Sequence, residues 1–592
     1  MSRNGSKSFT HVSPGMRDVA ACGFLGLLVV SIYAQVGGHR PIAFDDALYL
    51  TDNARVLAGL TWDSVVWAFT NVDAANWHPL TWLSHMVDQQ LFKSNWGGHM
   101  IENVFWHAAN SMLLYALFRR LGFARTTAFS LAALFACHPL NVESVAWLSQ
   151  RKNQLSTFLL LCAVIVYLDW RRERRTFSFV LLILAFAMSL MAKAMGVTLP
   201  VIILVFEAVS AFQGSSEARF NTKAVTSKWL CQILGRVYPL VLVSIAMCAA
   251  TIMAQRHLGA VASLETFSYT DRLANATQAV GVYLKTFIWP TDLSFFYPLR
   301  ENVDWGLIAI ALTFIVGVLC ASIYHLKKIP LLAFGASWFL ISLLPVIGLV
   351  QVGSQSHADR YMYVPMIGLL IMLGAIAEWL SRENRLRIEI SSIAVASFAV
   401  LLGIHAYAYT MLWRNGETAY RNAISVGGHS YTMTVSLTAT LINLNYLKTA
   451  EPYAKLAAER WPERPLSVAN LATLYARREQ YIEAEHWFRK AVEIEPGNLR
   501  FRYMLGLTLL HLNRGDEAER VLQSALGLVN SNSTWRTSDQ FAKSVLLREV
   551  NIQQSEIKDL MQKADPKEVK EDTSPEMSPL SHGLTIDGIK SS

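Results

Sequence analysis

The chain contains 592 residues, of which 53% are hydrophobic and only 16% are charged, and its mean hydropathy is +0.30. Soluble domains usually carry about 25% charged residues, so this composition excludes a disordered chain, a fibre and an ordinary cytosolic enzyme. It predicts a polytopic membrane protein with a polar appendage. The net charge of +8 does not indicate nucleic acid, because many of the cations flank apolar runs, where they act as topology signals.

Cysteine usage predicts no disulfide framework and no zinc site. Five of the six cysteines lie in apolar runs, and none is paired at metal-ligand spacing. At the N-terminus, Arg3, Lys7 and Arg17 precede an apolar run over 19–36 with no A-x-A cleavage pattern. This arrangement is typical of a retained signal anchor.

Membrane spans are predicted wherever about 20 mostly apolar residues follow one another. The eleven candidates are 19–36, 100–119, 125–145, 153–170, 177–193, 196–212, 236–254, 305–325, 330–350, 361–380 and 388–410. A twelfth segment, 273–290, is more polar, and counting it would move two basic clusters outside, against the positive-inside rule. Eleven spans place 37–99, 255–304 and everything after 410 outside. We therefore predict an all-α membrane domain over 1–410.

The segment after 410 repeats itself every 34 residues. Three series share this period: Leu437, Leu471 and Leu505; Ala450, Ala484 and Ala518; Ala457, Ala491 and Ala525. A 34-residue helix–turn–helix period is the tetratricopeptide signature. We therefore predict tetratricopeptide helices over 411–535, with a concave face that binds a peptide, or alternatively a spacer or dimerisation module. The remaining segment, 536–592, is predicted to be a helical end followed by a disordered polar tail.

An acidic pair stands just after the first span, where topology requires no acids. Asp45 and Asp46 are adjacent, and adjacent like charges raise the pKa of one partner, which suits a general base. The alternative is a solvated loop with helix-capping aspartates. We predict that Asp46, or its neighbour Asp45, is catalytic.

A second cluster is the sequence Asn76-Trp77-His78-Pro79-Leu80-Thr81-Trp82. The tryptophans indicate an interfacial belt or a sugar-stacking surface, and an amphipathic interfacial helix is an equally simple interpretation. His78, His85 and Asp88 match no specific metal-site spacing, so no metal ligand is assigned. The sequence leaves open whether a divalent metal is required.

Several cations fall on the outer side, where the positive-inside rule does not place them. They are Arg151, Lys152, Lys193 and Arg360. An anionic ligand at headgroup level explains them, since arginine and lysine pair with phosphate through charge-assisted hydrogen bonds. The alternative is pairing with Glu143 and Asp359, or with lipid headgroups in general. In the second span, Asn103, His107 and Asn110 share one helical face, which predicts a face turned towards the bundle or a cavity.

Together these motifs resemble the GT-C glycosyltransferases, and within them the transmembrane and tetratricopeptide repeat-containing O-mannosyltransferases. The resemblance rests on Phe44-Asp45-Asp46, Asn76 to Leu80, His138-Pro139, Val142 to Trp147, Arg151-Lys152, Lys193, Arg360-Tyr361, Tyr363, Pro365 and the terminal repeats. The family's acidic pair is often Asp-Glu, so the Asp-Asp form here leaves open which carboxylate acts.

The resemblance implies transfer of a mannose-like sugar from a polyprenyl-phosphate donor to a hydroxyl of a protein acceptor outside the cytoplasm, with inversion. In this interpretation Arg151, Lys152, Lys193 and Arg360 bind the donor phosphate. His78, His138, Glu143 and Tyr361 orient the sugar or the acceptor. Compact loops favour a bacterial inner membrane with periplasmic repeats. The competing interpretations are a membrane-anchored repeat scaffold for envelope proteins and a transporter of lipid-linked sugars.

Overall fold

The computed structural model of the protein describes residues 15–72, 76–214, 227–257, 268–299, 303–349, 354–381 and 385–531. These residues are mostly helical, which confirms the predicted all-α class. They form two compact units: one contains 15–42 and Arg55–Asn415, and the other contains Ala43–Ala54 and 416–531. The predicted helical end and tail at 536–592 lie outside the described residues.

The first unit is a helical bundle with a small antiparallel sheet of two strands, β1 (Tyr297–Pro298) and β2 (Gln355–His357). Its helices are α1 (Met16–Tyr33), α2 (Ala54–Leu57), α3 (Trp62–Thr70), α4 (Pro79–Phe92), α5 (Trp96–Arg120), α6 (Arg125–Cys137), α7 (Val142–Ala146), α8 (Arg151–Glu173), α9 (Thr176–Ala192), α10 (Leu199–Gly214), α11 (Ser227–His257), α12 (Tyr269–Ile288), α13 (Trp305–Tyr324), α14 (Pro330–Leu343), α15 (Met366–Leu380) and α16 (Arg385–Thr410).

Six helical segments in the described part of the chain are long and apolar enough to cross a membrane. They are Met16–Gly38, Leu148–Glu173, Ala194–Ala211, Gln232–Ala254, Trp305–Tyr324 and Arg387–Trp413. The pair α6 and Pro139–Ala146 would be a seventh, bent by 54°, and α9, α14 and α15 are apolar but shorter. The protein is therefore a multi-pass membrane protein, whereas the count of eleven spans is not confirmed.

Two long helices, α5 and α12, are not among the six apolar segments. Helix α5 is 25 residues long but is not among the six, and its face of Asn103, His107 and Asn110 is fully buried in the bundle. Helix α12 begins at a capping box in which the Ser268 hydroxyl accepts from the Asp271 N–H. Helix α12 is likewise not among the six segments.

Helices α14 and α15 approach closely because glycines face each other. A Cβ atom on Gly335 would lie 2.6 Å from the Gly368 carbonyl oxygen, and one on Gly368 would lie 2.5 Å from the Gly335 carbonyl oxygen. Small residues at such crossings let membrane helices pack backbone to backbone.

The second unit repeats with the predicted period. Its helices are α17 (Gly416–Gly427), α18 (Tyr431–Asn443), α19 (Leu447–Arg460), α20 (Pro465–Arg477), α21 (Tyr481–Ile494), α22 (Leu499–His511) and α23 (Gly515–Ser531). The first helices of successive pairs begin at Tyr431, Pro465 and Leu499, which are 34 residues apart. The recurring alanines Ala450 and Ala484 are fully buried, so the small residues predicted to allow close packing do lie between the helices.

Candidate functional site

The candidate site lies at a set of helix ends in the first unit. Glu143 belongs to the short helix α7, Asn153 to the first turn of α8, and Lys193 follows the last residue of α9. Arg360 belongs to the 3-10 turn Asp359–Met362. Short helices and turns bring charged side chains together here without placing them in the middle of an apolar helix.

Glu143 and Arg360 form the central ion pair. The Glu143 side chain is fully buried, and its Oε2 accepts a 2.6 Å hydrogen bond from the Arg360 backbone N–H, while its Oε1 contacts the guanidinium Nη1. The guanidinium also lies over the rings of Trp147 and Tyr361, at 5.4 and 5.0 Å from their centroids. Arg360 keeps 13% of its side chain exposed, so it is held firmly yet remains accessible.

Asn153 connects this ion pair to Lys193. Its side-chain amide donates to the Ser144 hydroxyl at 2.9 Å and to the Arg360 carbonyl at 3.0 Å. Its Oδ1 accepts from the Lys193 ammonium at 3.1 Å. Asn153 was not among the predicted site residues. Its only signal in the sequence is its place directly after Arg151 and Lys152.

His78 lies beside two of the predicted phosphate-binding cations. It immediately precedes α4 and is buried, with its ring 5.0 Å from that of Trp82. Burial, and then the positive charges of Lys152 and Lys193, hold the pKa of His78 well below its usual range. A neutral imidazole at neutral pH follows. Lys152, Lys193, Asn153, Glu143 and Arg360 are hereafter called the cation cluster.

Asp359 directly precedes Arg360 of the cation cluster and contacts Tyr297 of strand β1. Both of its carboxylate oxygens lie within reach of the Tyr297 hydroxyl, at 3.0 and 3.1 Å. Burial, and then the negative charge of Glu143, raise the pKa of Asp359 well above its usual range. The strand pairing of Tyr297 with His357 fixes this contact, since β1 and β2 join the segments that carry the two partners.

Arg151 is placed differently from the other predicted phosphate ligands. Its side chain is fully buried, and it makes three hydrogen bonds and two ion-pair contacts with five protein partners, all within 2.9 Å. Those partners are Asp88, Glu102, Asn103, Ser84 and the carbonyl of His99. Arg151 thereby fastens the start of α8 to α4 and α5, which positions Lys152 and Asn153. The sequence missed this role because Asp88 lies 63 residues earlier in the chain.

The Asp88 carboxylate shows why Arg151 remains in this position. Burial alone would raise the pKa of Asp88, but the Arg151 guanidinium and the His99 imidazole, whose Nδ1 lies 3.5 Å from Asp88 Oδ2, outweigh that effect and lower the pKa below its usual range. An ionised, fully buried carboxylate requires a paired cation. Arg151 therefore cannot leave Asp88 to bind a ligand without a large cost in free energy.

His138 and Tyr361, two of the predicted orienting residues, make contacts with other protein groups. The Nε2 of His138 lies 3.0 Å from the Phe287 carbonyl oxygen, its Nδ1 accepts from the Leu140 N–H at 3.2 Å, and its ring stacks on Phe287. Both ring nitrogens of His138 are thus engaged within the protein. The Tyr361 hydroxyl accepts from Gln355 at 3.0 Å, while the Tyr361 ring supports Arg360.

The acidic pair belongs to the second compact unit. Asp46 is fully buried, whereas Asp45 is partly exposed, and a π-helix, Ala47–Thr51, follows directly. In this unit the Tyr420 hydroxyl donates to the Ala43 carbonyl at 3.0 Å. Burial, and then the negative charges of Asp46 and Asp45, raise the pKa of Tyr420 well above its usual range. The segment that carries the pair therefore packs on the first helix of the repeat unit.

The fold defines the class of protein as a multi-pass helical membrane protein with a tetratricopeptide-like array. The family model described as anaphase-promoting complex, cyclosome, subunit 3 matches residues 443–525, which lie within that array.

The chain is similar to proteins named protein O-mannosyl-transferase. It is 22% identical to human TMTC4 over 437 residues, covering 65% of this chain and 59% of the relative. It is also 22% identical to F38B6.6 of Caenorhabditis elegans over 432 residues, covering 70% of this chain and 58% of the relative. Tmtc1 of Drosophila melanogaster is 27% identical over 207 residues, covering 33% of this chain and 23% of the relative. The aligned region thus spans less than two thirds of each relative. These matches confirm the resemblance that the motifs indicated.

Proposed function

We propose that the protein is a membrane glycosyltransferase that moves a mannose-like sugar from a polyprenyl-phosphate donor to an extracytoplasmic acceptor. The acceptor group is the hydroxyl of a Ser or Thr residue of a protein. The observation that carries the proposal is the cation cluster, in which Asn153 accepts a hydrogen bond from the Lys193 ammonium and donates one to the backbone carbonyl of Arg360. The names of the similar proteins support the same class of reaction.

The leaving group in this reaction is a lipid phosphate, which is already anionic. It needs stabilising cations rather than an acid. We assign this role to Lys152, Lys193 and Arg360, because each keeps part of its side chain exposed. Arg151 is assigned a positioning role, since its donors are already engaged. The apolar surfaces of the membrane helices would hold the polyprenyl tail.

The acceptor hydroxyl needs a base to take its proton in the transition state. We assign this role to Asp46, or to its neighbour Asp45. The acceptor oxygen then forms a bond to the anomeric carbon, the bond from that carbon to the phosphate oxygen breaks, and the proton passes to the carboxylate. Attack opposite the phosphate inverts the anomeric centre. A neutral His78, with Glu143, Tyr361 and His138, would orient the sugar or the acceptor.

Transfer of label from radioactive polyprenyl-phosphate-mannose to protein, in membranes that contain the full chain, tests this proposal. Wild type is compared with Asp46→Asn and with the control Asp52→Asn, which changes a nearby acid of the same segment. Label in protein with wild type and Asp52→Asn, but not with Asp46→Asn, is the expected result. Full transfer by Asp46→Asn would contradict the assignment of the base. Absence of transfer by wild type would favour the scaffold interpretation.

A further inference from the structure

Helix α8 carries arginines at the end opposite the cation cluster. Asn153 lies in its first turn and Arg172 in its last, and its 23 residues rise roughly 34 Å at about 1.5 Å per residue. Positive charge is favoured at a helix C-terminus and on the cytoplasmic side of a membrane protein. Neither effect requires that a guanidinium N–H lack an acceptor, which is what distinguishes Arg172 from its neighbours.

The arginines on either side of Arg172 are paired with carboxylates. Arg120 of α5 donates two hydrogen bonds to Asp169, from Nε at 3.1 Å and from Nη2 at 3.2 Å. The Nε of Arg171 donates to Oε1 of the buried Glu207 at 2.6 Å. These two ion pairs join the end of α8 to α5 and α10.

Arg172 has no such partner in the described part of the chain. It forms no ion pair there, and its Nη1 is buried without a hydrogen-bond partner among the described residues. Its electrostatic interactions are with Asp169, which already pairs with Arg120, and with the cations Arg120 and Arg171. A buried N–H of a charged group without an acceptor costs free energy, and like charges nearby add repulsion. An anion bound at Arg172 would remove both costs.

An apolar crevice lies beside these arginines. Its lining includes Leu121 of α5, Leu168 of α8, Phe206 of α10 and Trp338 of α14. Leu168 and Arg172 are four residues apart on α8, so they share one helical face, and Leu121 directly follows Arg120. The Arg171 guanidinium lies 5.4 Å from the centroid of the Phe206 ring. Arginines therefore stand at one end of a space that suits a hydrocarbon chain.

We propose that this end of α8 binds an anionic phospholipid, with its phosphate at Arg172 and one acyl chain in the crevice. Basic pockets between membrane helices are typical sites for the headgroups of anionic lipids, and arginine pairs with phosphate through charge-assisted hydrogen bonds. A phosphatidylcholine fits less well, because its choline brings a further positive charge towards Arg120 and Arg171. The proposal does not rest on the proposed function, since the cation cluster lies at the other end of α8.

Native mass spectrometry of the full chain in detergent tests the proposal without an assay of sugar transfer. Dioleoylphosphatidylglycerol is titrated into wild type, Arg172→Gln and the control Arg175→Gln, whose side chain pairs with Glu173 at the same helix end. Both variants lose one positive charge. We expect Arg172→Gln to bind the lipid roughly tenfold or more weakly than wild type, and Arg175→Gln to bind it like wild type. Wild-type binding by Arg172→Gln, or equal weakening in both variants, would overturn the proposal.

A second experiment uses wild type alone, so it does not depend on the folding of a variant. The melting temperature of the full chain is measured with dioleoylphosphatidylglycerol, dioleoylphosphatidylcholine, glycerophosphoglycerol, inorganic phosphate and undecaprenyl phosphate. We expect the largest increase with phosphatidylglycerol. Equal stabilisation by phosphatidylcholine would overturn the role of the anionic headgroup. Equal stabilisation by inorganic phosphate or by the headgroup alone would overturn the role of the crevice. Stronger stabilisation by undecaprenyl phosphate would overturn the assigned class of lipid, and no stabilisation by any of them would overturn the site.

Discussion

The side-chain amide of Asn153 donates a 3.0 Å hydrogen bond to the carbonyl oxygen of Arg360, 207 residues further along the chain. The Oδ1 of the same amide accepts from the Lys193 ammonium. One neutral side chain therefore connects the Lys193 ammonium to the backbone of Arg360, whose guanidinium is paired with Glu143. This arrangement gives the cation cluster its geometry.

Replacement of Asn153 by alanine should weaken sugar transfer more than it weakens the fold. A hydrogen bond to a charged group contributes about 1.5–3 kcal/mol, so loss of the contact with Lys193 should lower kcat/KM roughly ten- to hundredfold. Most of the change should appear in KM for the lipid donor. The control Thr157→Val removes a hydroxyl that bonds only within its own helix and should leave KM unchanged. Equal losses in both variants would indicate a general packing effect.

Replacement of Arg151 by glutamine should unfold the protein at a lower temperature. It leaves Asp88 ionised and buried without its cation, and breaking a buried ion pair in this way costs about 3–5 kcal/mol. Lys152→Gln, at the adjacent and partly exposed position, should keep the wild-type melting temperature but bind the donor less tightly. Thermal unfolding in detergent compares the two variants. An unchanged melting temperature for Arg151→Gln, with loss of donor binding, would instead indicate that Arg151 binds the donor phosphate.

Asp359 should make the folded state less stable as the pH rises. Its pKa is raised in the folded protein above the usual value of 3.8, so the folded state holds this proton more tightly than the unfolded chain does. The contribution to stability is full below that value and is lost as the pH rises towards the folded pKa. Asp359→Asn should therefore raise the melting temperature relative to wild type more at pH 8 than at pH 5. Asp292→Asn, at an exposed position, is the control. An equal difference in melting temperature between wild type and Asp359→Asn at both pH values would contradict the raised pKa of Asp359.

Replacement of Gly368 by alanine should destabilise the crossing of α14 and α15. The added methyl group would lie 2.5 Å from the Phe339 backbone nitrogen and from the Gly335 carbonyl oxygen. Overpacking of this kind costs about 1–3 kcal/mol. Gly317→Ala on α13 meets no atom within 4 Å and serves as the control in thermal unfolding. Equal melting temperatures for the two variants would show that the helices separate readily.

Residue patterns predicted the parts of the fold that depend on local periodicity. The 34-residue spacing of Ala450, Ala484 and Ala518 predicted the paired helices, because these small residues lie where two helices touch. The apolar runs likewise predicted the six long apolar helices. Helix α5 is long, but it carries a polar face that is buried in the bundle. Its length alone therefore does not predict whether it spans the membrane.

The site itself was only partly predictable, because tertiary pairing decides what a charged side chain does. The sequence placed Arg151 and Lys152 together as phosphate ligands, but the structure turns Arg151 towards Asp88 and Glu102 and leaves Lys152 partly exposed. A linking asparagine such as Asn153 carries no charge and belongs to no specific motif. Its role becomes visible only when its three partners are seen around it.

Equilibrium binding of a short-chain polyprenyl-phosphate-mannose to the purified full chain tests the central claim, that the cation cluster holds the donor phosphate. We predict that Lys193→Gln raises Kd at least tenfold, that Lys193→Arg restores most of the affinity, and that Asp46→Asn leaves Kd unchanged, because the base acts on the acceptor. Wild-type affinity in Lys193→Gln would contradict the claim.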